Sequence, residues 1–110
     1  MEKQLIDRIQ SSIDFIEENM YEKIDIEDVA RKAFMGKSAF YDVFAGVLST
    51  TVKEYIRKRR LSLSLNDLIN SDLTVLEIAL KYQYYPSESY SRAFKKLFGI
   101  SPKNYREKRE

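Results

Sequence analysis

The chain contains no cysteine and no histidine. Disulfides, thiolate nucleophiles, Cys/His zinc sites and imidazole acid–base chemistry are thereby excluded. Only three glycines and two prolines punctuate its 110 residues. No apolar run approaches the roughly 20 residues of a membrane span, and the charged stretch Met1–Gln10 lacks a signal-peptide core. A cytoplasmic protein is expected. No segment alternates polar and apolar residues with period two, so no β-structure is expected. Paired carboxylates such as Glu17 and Glu18 occur, but adjacent helical positions point in different directions and form no dyad. No enzyme, metal site or cofactor is expected.

What is present is ordinary in amount and unusual in arrangement. The chain is 44% hydrophobic and 33% charged, and 14 Phe and Tyr residues supply much of its core volume. This suits one compact domain or two small lobes. Net charge is only +2, yet it is unevenly spread. Residues 1–28 hold nine acids and three bases, net −6; residues 29–80 hold eight bases and five acids, net +3. Residues 81–110 hold eight bases and three acids, net +5. An acidic head and a basic tail suit a polyanionic partner on one side.

The sequence also repeats itself. Phe40, Phe44, Leu48, Thr51 and Tyr55 answer to Tyr90, Phe94, Phe98, Ser101 and Tyr105, 50 residues on. Val29-Ala30 answers to Ile78-Ala79 at 49, so the offset slips by one between the two anchors. Self-similarity of this kind marks one supersecondary unit used twice.

Helix signals place that unit. Leu5, Ile6, Ile9, Ile13 and Ile16 form a helical stripe over 3–19. Asp25 reads as an N-cap for a short helix burying Ile26, Val29, Ala30 and Ala33. After Gly36, a helix over 37–48 turns Phe40, Val43, Phe44 and Val47 inward. Thr51-Val52-Lys53-Glu54 has capping-box spacing and opens a long helix over 51–69, with Tyr55, Ile56, Leu61, Leu65, Leu68 and Ile69 apolar. Thr74-Val75-Leu76-Glu77 repeats the box, with Ile78, Ala79 and Tyr82 facing the core. A helix over 86–98 ends at Gly99, and Ser101-Pro102 starts a last one. The expected fold is all-α: about seven helices in two homeodomain-like, helix-turn-helix lobes joined by a long central helix. The lobes span 1–50 and 71–110, with 51–70 as the connector.

Such a unit suits DNA. Its second helix protrudes into a major groove about 12 Å wide while the first braces it. Over 86–98, Tyr90, Ala93, Phe94 and Leu97 form the inner stripe, leaving Ser87, Glu88, Ser91, Arg92 and Lys95 outside. A connector of eighteen or so residues is about 27 Å long, compatible with two reading helices about 34 Å apart, one DNA turn. Arg57-Lys58-Arg59-Arg60 on that connector points around the helix, so one or two of the four can face phosphate.

The run Ser89-Tyr90-Ser91-Arg92-Ala93-Phe94-Lys95-Lys96-Leu97-Phe98-Gly99-Ile100-Ser101-Pro102-Lys103-Asn104-Tyr105-Arg106, preceded by Thr74 to Ala79, resembles the DNA-binding domain of AraC/XylS-type transcription regulators. Val29-Ala30 and Tyr55 to Leu61 extend the likeness from about Leu5 to Arg106. The resemblance implies duplex DNA binding to control transcription, often by recruiting RNA polymerase. By position it implies base-facing Lys37, Ser38, Tyr41 and Asp42 in the first lobe, and Ser87, Glu88, Ser89, Ser91 and Arg92 in the second. Asp42 stands where the family usually has a basic residue, Gln83 and Ser49 where it has glycine, and Gly36 where it has a serine cap. The second lobe is therefore expected to be the stronger DNA reader. Many relatives carry an effector-sensing domain; this chain is expected to be either a stand-alone regulator or a fragment whose partner domain would follow Glu110. The alternative is a protein-interaction module on a degenerate version of the fold, with Asp42 and the acidic head facing a protein.

Overall fold

The computed structural model describes residues 3–108, and every regular element among them is helical. Seven helices run α1 (Lys3–Glu18), α2 (Ile26–Lys32), α3 (Lys37–Leu48), α4 (Val52–Asn70), α5 (Val75–Lys81), α6 (Glu88–Phe98) and α7 (Pro102–Glu107). Arg109 and Glu110, part of the basic ending, lie outside the described residues. The chain divides into two compact units, Met1–Ile56 and Arg57–Glu110. The division falls inside α4, so by packing its first turn goes with the first unit and the remainder with the second.

Helix starts follow the sequence closely. Asp25 accepts from the Glu27 amide at 2.9 Å, and Thr51 from the Glu54 amide at 3.1 Å. Thr74 and Glu77 form a complete capping box, each side chain bonded to the other's backbone N–H at 2.9–3.0 Å. Those bonds favour the charged carboxylate and hold the Glu77 pKa below its ordinary value. Ser101 accepts from the Asn104 amide at 3.1 Å, with Pro102 opening α7.

The first unit buries Ile9, Ile16, Val29, Ala30, Ala33, Phe40, Phe44, Val52 and Ile56. Arg8 reaches from α1 to the end of α2, where its Nε and Nη2 donate to the Ala33 and Phe34 carbonyls at 2.7 and 2.8 Å. This satisfies the carbonyls of the C-cap of α2 and of the turn residue after it.

The second unit is organised around Leu61, Leu68, Ile78, Ala79, Tyr82, Tyr90 and Phe94. Arg106 Nε donates to the Leu68 carbonyl at 3.0 Å, tying α7 to the end of α4. In both units an aromatic ladder is stacked on the same plan. Phe40–Phe44–Tyr55 centroids are 5.6 and 5.7 Å apart, and Tyr90–Phe94–Tyr105 centroids 5.7 and 5.9 Å.

The repeat extends further than the sequence reading traced it. Ile9, Ser12 and Ile16 of α1 are matched, at an offset of 52, by Leu61, Ser64 and Leu68 of α4, all six buried. Both serines donate back to a carbonyl three residues earlier, at 2.6 and 2.7 Å. The backbone repeats as well. Phe34 and Gln83 (φ 57° and 69°) lie in the two helix-turn-helix turns; Ser49 and Gly99 (φ 58° and 79°) cap α3 and α6. Gln83 and Ser49, which stand where the family has glycine, both take the left-handed conformation that glycine tolerates best. At Phe34 nothing in the sequence announced it.

Three expectations need correction. Ile6 and Ile69, placed in apolar stripes, are 43% and 38% exposed because each lies near a helix end beyond the buried core. The long helix covers Val52–Asn70, one residue later at each end than expected. The helix expected from Pro86 starts at Glu88, because the Ser89 and Tyr90 amides donate to the carbonyls of Pro86 and Ser87, three residues back, closing tight turns before the α-helical ladder begins.

Candidate nucleic-acid interface

α6 separates its two faces sharply. Tyr90 and Phe94 are fully buried, and Ala93 and Leu97 half-buried. On the opposite side Glu88, Arg92, Lys95 and Lys96 are exposed. Arg92, Lys95 and Lys96 have no hydrogen-bond or ion-pair partner among the described residues, so their donors are available to a ligand. The apolar stripe at every third or fourth position fixes this division, since turning Tyr90 and Phe94 inward leaves Arg92 and Lys95 outward.

The serines expected at this surface are less uniform. Ser87 is half-buried at the helix start, and its side chain makes no capping bond. Ser89 uses its hydroxyl locally, donating to the Pro86 carbonyl at 2.6 Å. Its lone pairs stay open, but its proton is committed to the turn. Ser91 is half-buried beside Arg92.

α3 has the same inner face and a different outer one. Phe40 and Phe44 are fully buried, Val43 and Val47 half-buried. Lys37, Ser38 and Asp42 are exposed. Tyr41 is half-buried, and the Lys53 ammonium lies 6.0 Å from the centre of its ring. Ala45 and Gly46 occupy the places of Lys95 and Lys96, and a Cβ added at Gly46 would meet nothing within 4 Å. The outer face of α3 is therefore short and nearly neutral where that of α6 is long and basic.

The basic run on α4 is mostly occupied. Arg57, Arg59 and Arg60 are half-buried and engaged with the protein, whereas Lys58 is exposed. Burial lowers the Arg60 pKa from its ordinary value, with Tyr84 opposing the shift.

A model of a helix-turn-helix domain of the AraC/XylS type matches residues 29–108. The regulatory protein SoxS of Salmonella typhimurium is 33% identical over 98 residues, which cover 89% of this chain and 92% of that one. This chain belongs to the AraC/XylS family. The transposon Tn10 TetD protein of Escherichia coli is 40% identical to this AraC/XylS regulator over 92 residues, 84% of this chain and 67% of TetD. Against another relative the chain spans only 33% of the longer protein's length. In fold it is similar to the crystal structure of the DNA-binding domain of AdpA in complex with a target DNA. That match has a TM-score of 0.84 at 22% identity and covers 91% of this chain and 90% of that one. This AraC/XylS chain is a DNA-binding regulator of transcription.

Two residues of the surface escaped the sequence reading. Lys96 stands one helical turn after Arg92, and extending the outer stripe by that turn would have included it. Tyr85, in the turn before α6, carries no periodic signal because it lies outside both helices.

Proposed function

We propose that α6 is the principal DNA-reading helix of this regulator and α3 the weaker one, each entering a major groove. The observation that carries this is the row of unpartnered bases, Arg92, Lys95 and Lys96, opposite the buried Tyr90 and Phe94. In these roles Arg92 pairs with a guanine edge or grips phosphate, and Lys95 neutralises phosphate. Ser87 and Ser91 contact base edges or phosphates, Ser89 offers its open lone pairs to a base amino group, and Glu88 accepts from a cytosine amino group. On α3, Lys37 and Ser38 position the helix on the backbone, Tyr41 flanks it, and Asp42 accepts from a cytosine amino group where one is present. The acidic stretch 1–28 is the part suited to a protein partner, RNA polymerase first, or an effector-sensing domain. In this reading the chain works in the cytoplasm, where its DNA is, and catalyses nothing.

The test is titration of a selected duplex at two salt concentrations. Arg92→Ala should weaken specific binding by about 1–3 kcal/mol without lowering the melting temperature. Lys95→Ala should weaken all sequences alike and reduce the salt slope by about one. Unchanged affinity in both variants would remove α6 from the DNA-reading role.

A further inference from the structure

The one-residue slip in the repeat has a location. From Phe34 to Phe40 five residues intervene; from Gln83 to Tyr90, six. The second helix-turn-helix turn is thus longer by one residue, and what the longer turn displays is Tyr85. Its side chain is 89% exposed, the most exposed of the eight tyrosines.

Its neighbours hold it in place. On one side the Tyr84 amide donates to the Ala79 carbonyl at 2.9 Å, and the Tyr84 ring lies 5.5 Å from that of Tyr90. On the other, the Pro86 carbonyl accepts from both the amide and the hydroxyl of Ser89, at 3.0 and 2.6 Å. Tyr85 is therefore an exposed aromatic on an anchored backbone, so little chain freedom is lost when it binds something. It shares a surface cleft of about 280 Å³ with Ser87 and Glu88 at the reading end of α6. In a docked helix-turn-helix the N-terminal residues of the second helix meet base edges. A residue just before that end lies toward the groove wall, which is phosphate, and tyrosine hydroxyls are among the donors that phosphates accept from.

We propose that the Tyr85 hydroxyl donates a hydrogen bond to a backbone phosphate of the bound duplex, fixing the register of α6 in the groove. This rests on α6 being a DNA-reading helix. Because the hydroxyl is neutral, it releases no counterion, and its contribution is independent of salt.

The experiment compares Tyr85→Phe, Tyr85→Ala and Arg92→Ala in titrations of one selected duplex and one unrelated duplex at two salt concentrations, with melting temperatures alongside. The expected result is that Tyr85→Phe and Tyr85→Ala weaken binding equally, roughly three- to tenfold on both duplexes. Salt slope and melting temperature should stay as in the parent. Full affinity in Tyr85→Phe with loss only in Tyr85→Ala would overturn the hydroxyl contact in favour of the ring. A lowered melting temperature would overturn it in favour of a structural role. Arg92→Ala separates the two levels. If it weakens binding and the Tyr85 variants do not, the Tyr85 contact alone fails. If it too has no effect, the reading of α6 fails and Tyr85 with it. Intact DNA binding with loss of transcription activation would also overturn the phosphate contact, assigning Tyr85, with the neighbouring exposed Leu76 and Leu80, to protein docking.

Discussion

In the second lobe, Lys81 and Tyr82 at the end of α5 both meet Asp67 on α4. The lysine ammonium lies 3.0 and 3.2 Å from the two carboxylate oxygens, and the tyrosine hydroxyl donates at 2.5 Å. The same three places in the first lobe hold Lys32, Ala33 and Phe15, and there the ammonium lies 5.2 Å from the centre of the Phe15 ring. The surface stays open as a groove of about 650 Å³ bounded by Phe15, Arg31, Lys32 and Phe34. Nearby, Tyr90 donates to the buried Ser64 at 2.8 Å, whereas its counterpart Phe40 has no hydroxyl to offer Ser12. One scaffold thus accepts two internal chemistries: a polar network that must be complete, and an apolar version with little to leave unsatisfied. The outer faces diverge in the same spirit, since Arg92 and Asp42 hold one position with opposite charge.

The largest expected consequence is at Asp67. Asp67→Ala leaves the half-buried Lys81 ammonium and the buried Tyr82 hydroxyl without the carboxylate they share, and should cost about 3 kcal/mol in chemical denaturation. Hydrogen-exchange protection should fall first within Arg57–Glu110. Phe15→Ala removes a partly exposed cation–π contact and some buried area, and should cost roughly 1 kcal/mol. Equal losses would break the contrast.

Tyr90 sharpens it through pH. Burial pushes its hydroxyl pKa up to about 12, the Ser64 hydrogen bond partly opposing. The folded state therefore keeps this proton where the unfolded chain has lost it. Its contribution is complete below about pH 10 and disappears as pH rises toward 12, a loss of about 1–2 kcal/mol. Tyr90→Phe should cost about 1 kcal/mol at neutral pH and flatten that alkaline slope, making the second lobe resemble the first. A slope that survives the substitution would mean another group causes it.

On the DNA side, Asp42→Arg should strengthen non-specific binding and steepen its salt slope by about one. A loss of specific affinity would instead show that Asp42 reads a base.

The smallest effects concern the backbone. Gln83→Gly and Ser49→Gly should each stabilise by about 1 kcal/mol or less, since both sit at positive φ. Gly99→Ala should destabilise by about as much; its added methyl meets no atom within 4 Å, so the cost is conformational. Stabilisation by Gly99→Ala would contradict the shared capping geometry.

The helices were legible because their signals are local: Thr74 with Glu77, Ser101 with Pro102, aromatics every fourth residue, Gly99 after α6. Which faces of α3 and α6 turn outward followed from the same periodicity. Asp67 and Ser64 were not legible as buried groups, because a polar residue on an amphipathic helix reads as surface until its partner, fourteen or more residues away, is known. Phe34 gave no sign of positive φ, since only glycine or asparagine advertises it. The local engagement of Ser89 with Pro86 and of Tyr41 with Lys53 depends on turn and side-chain geometry that spacing does not encode. The family likeness supplied positions for the residues proposed to face DNA, whereas the partnerless state of Arg92, Lys95 and Lys96 came from the structure.

The most direct measurement is selection of bound sequences from a random duplex pool, done in parallel with the parent chain and Arg92→Ala. A stronger second lobe predicts one dominant enriched block that Arg92→Ala abolishes, with at most a faint second block. Two blocks of equal strength, or a dominant block indifferent to Arg92, would contradict it.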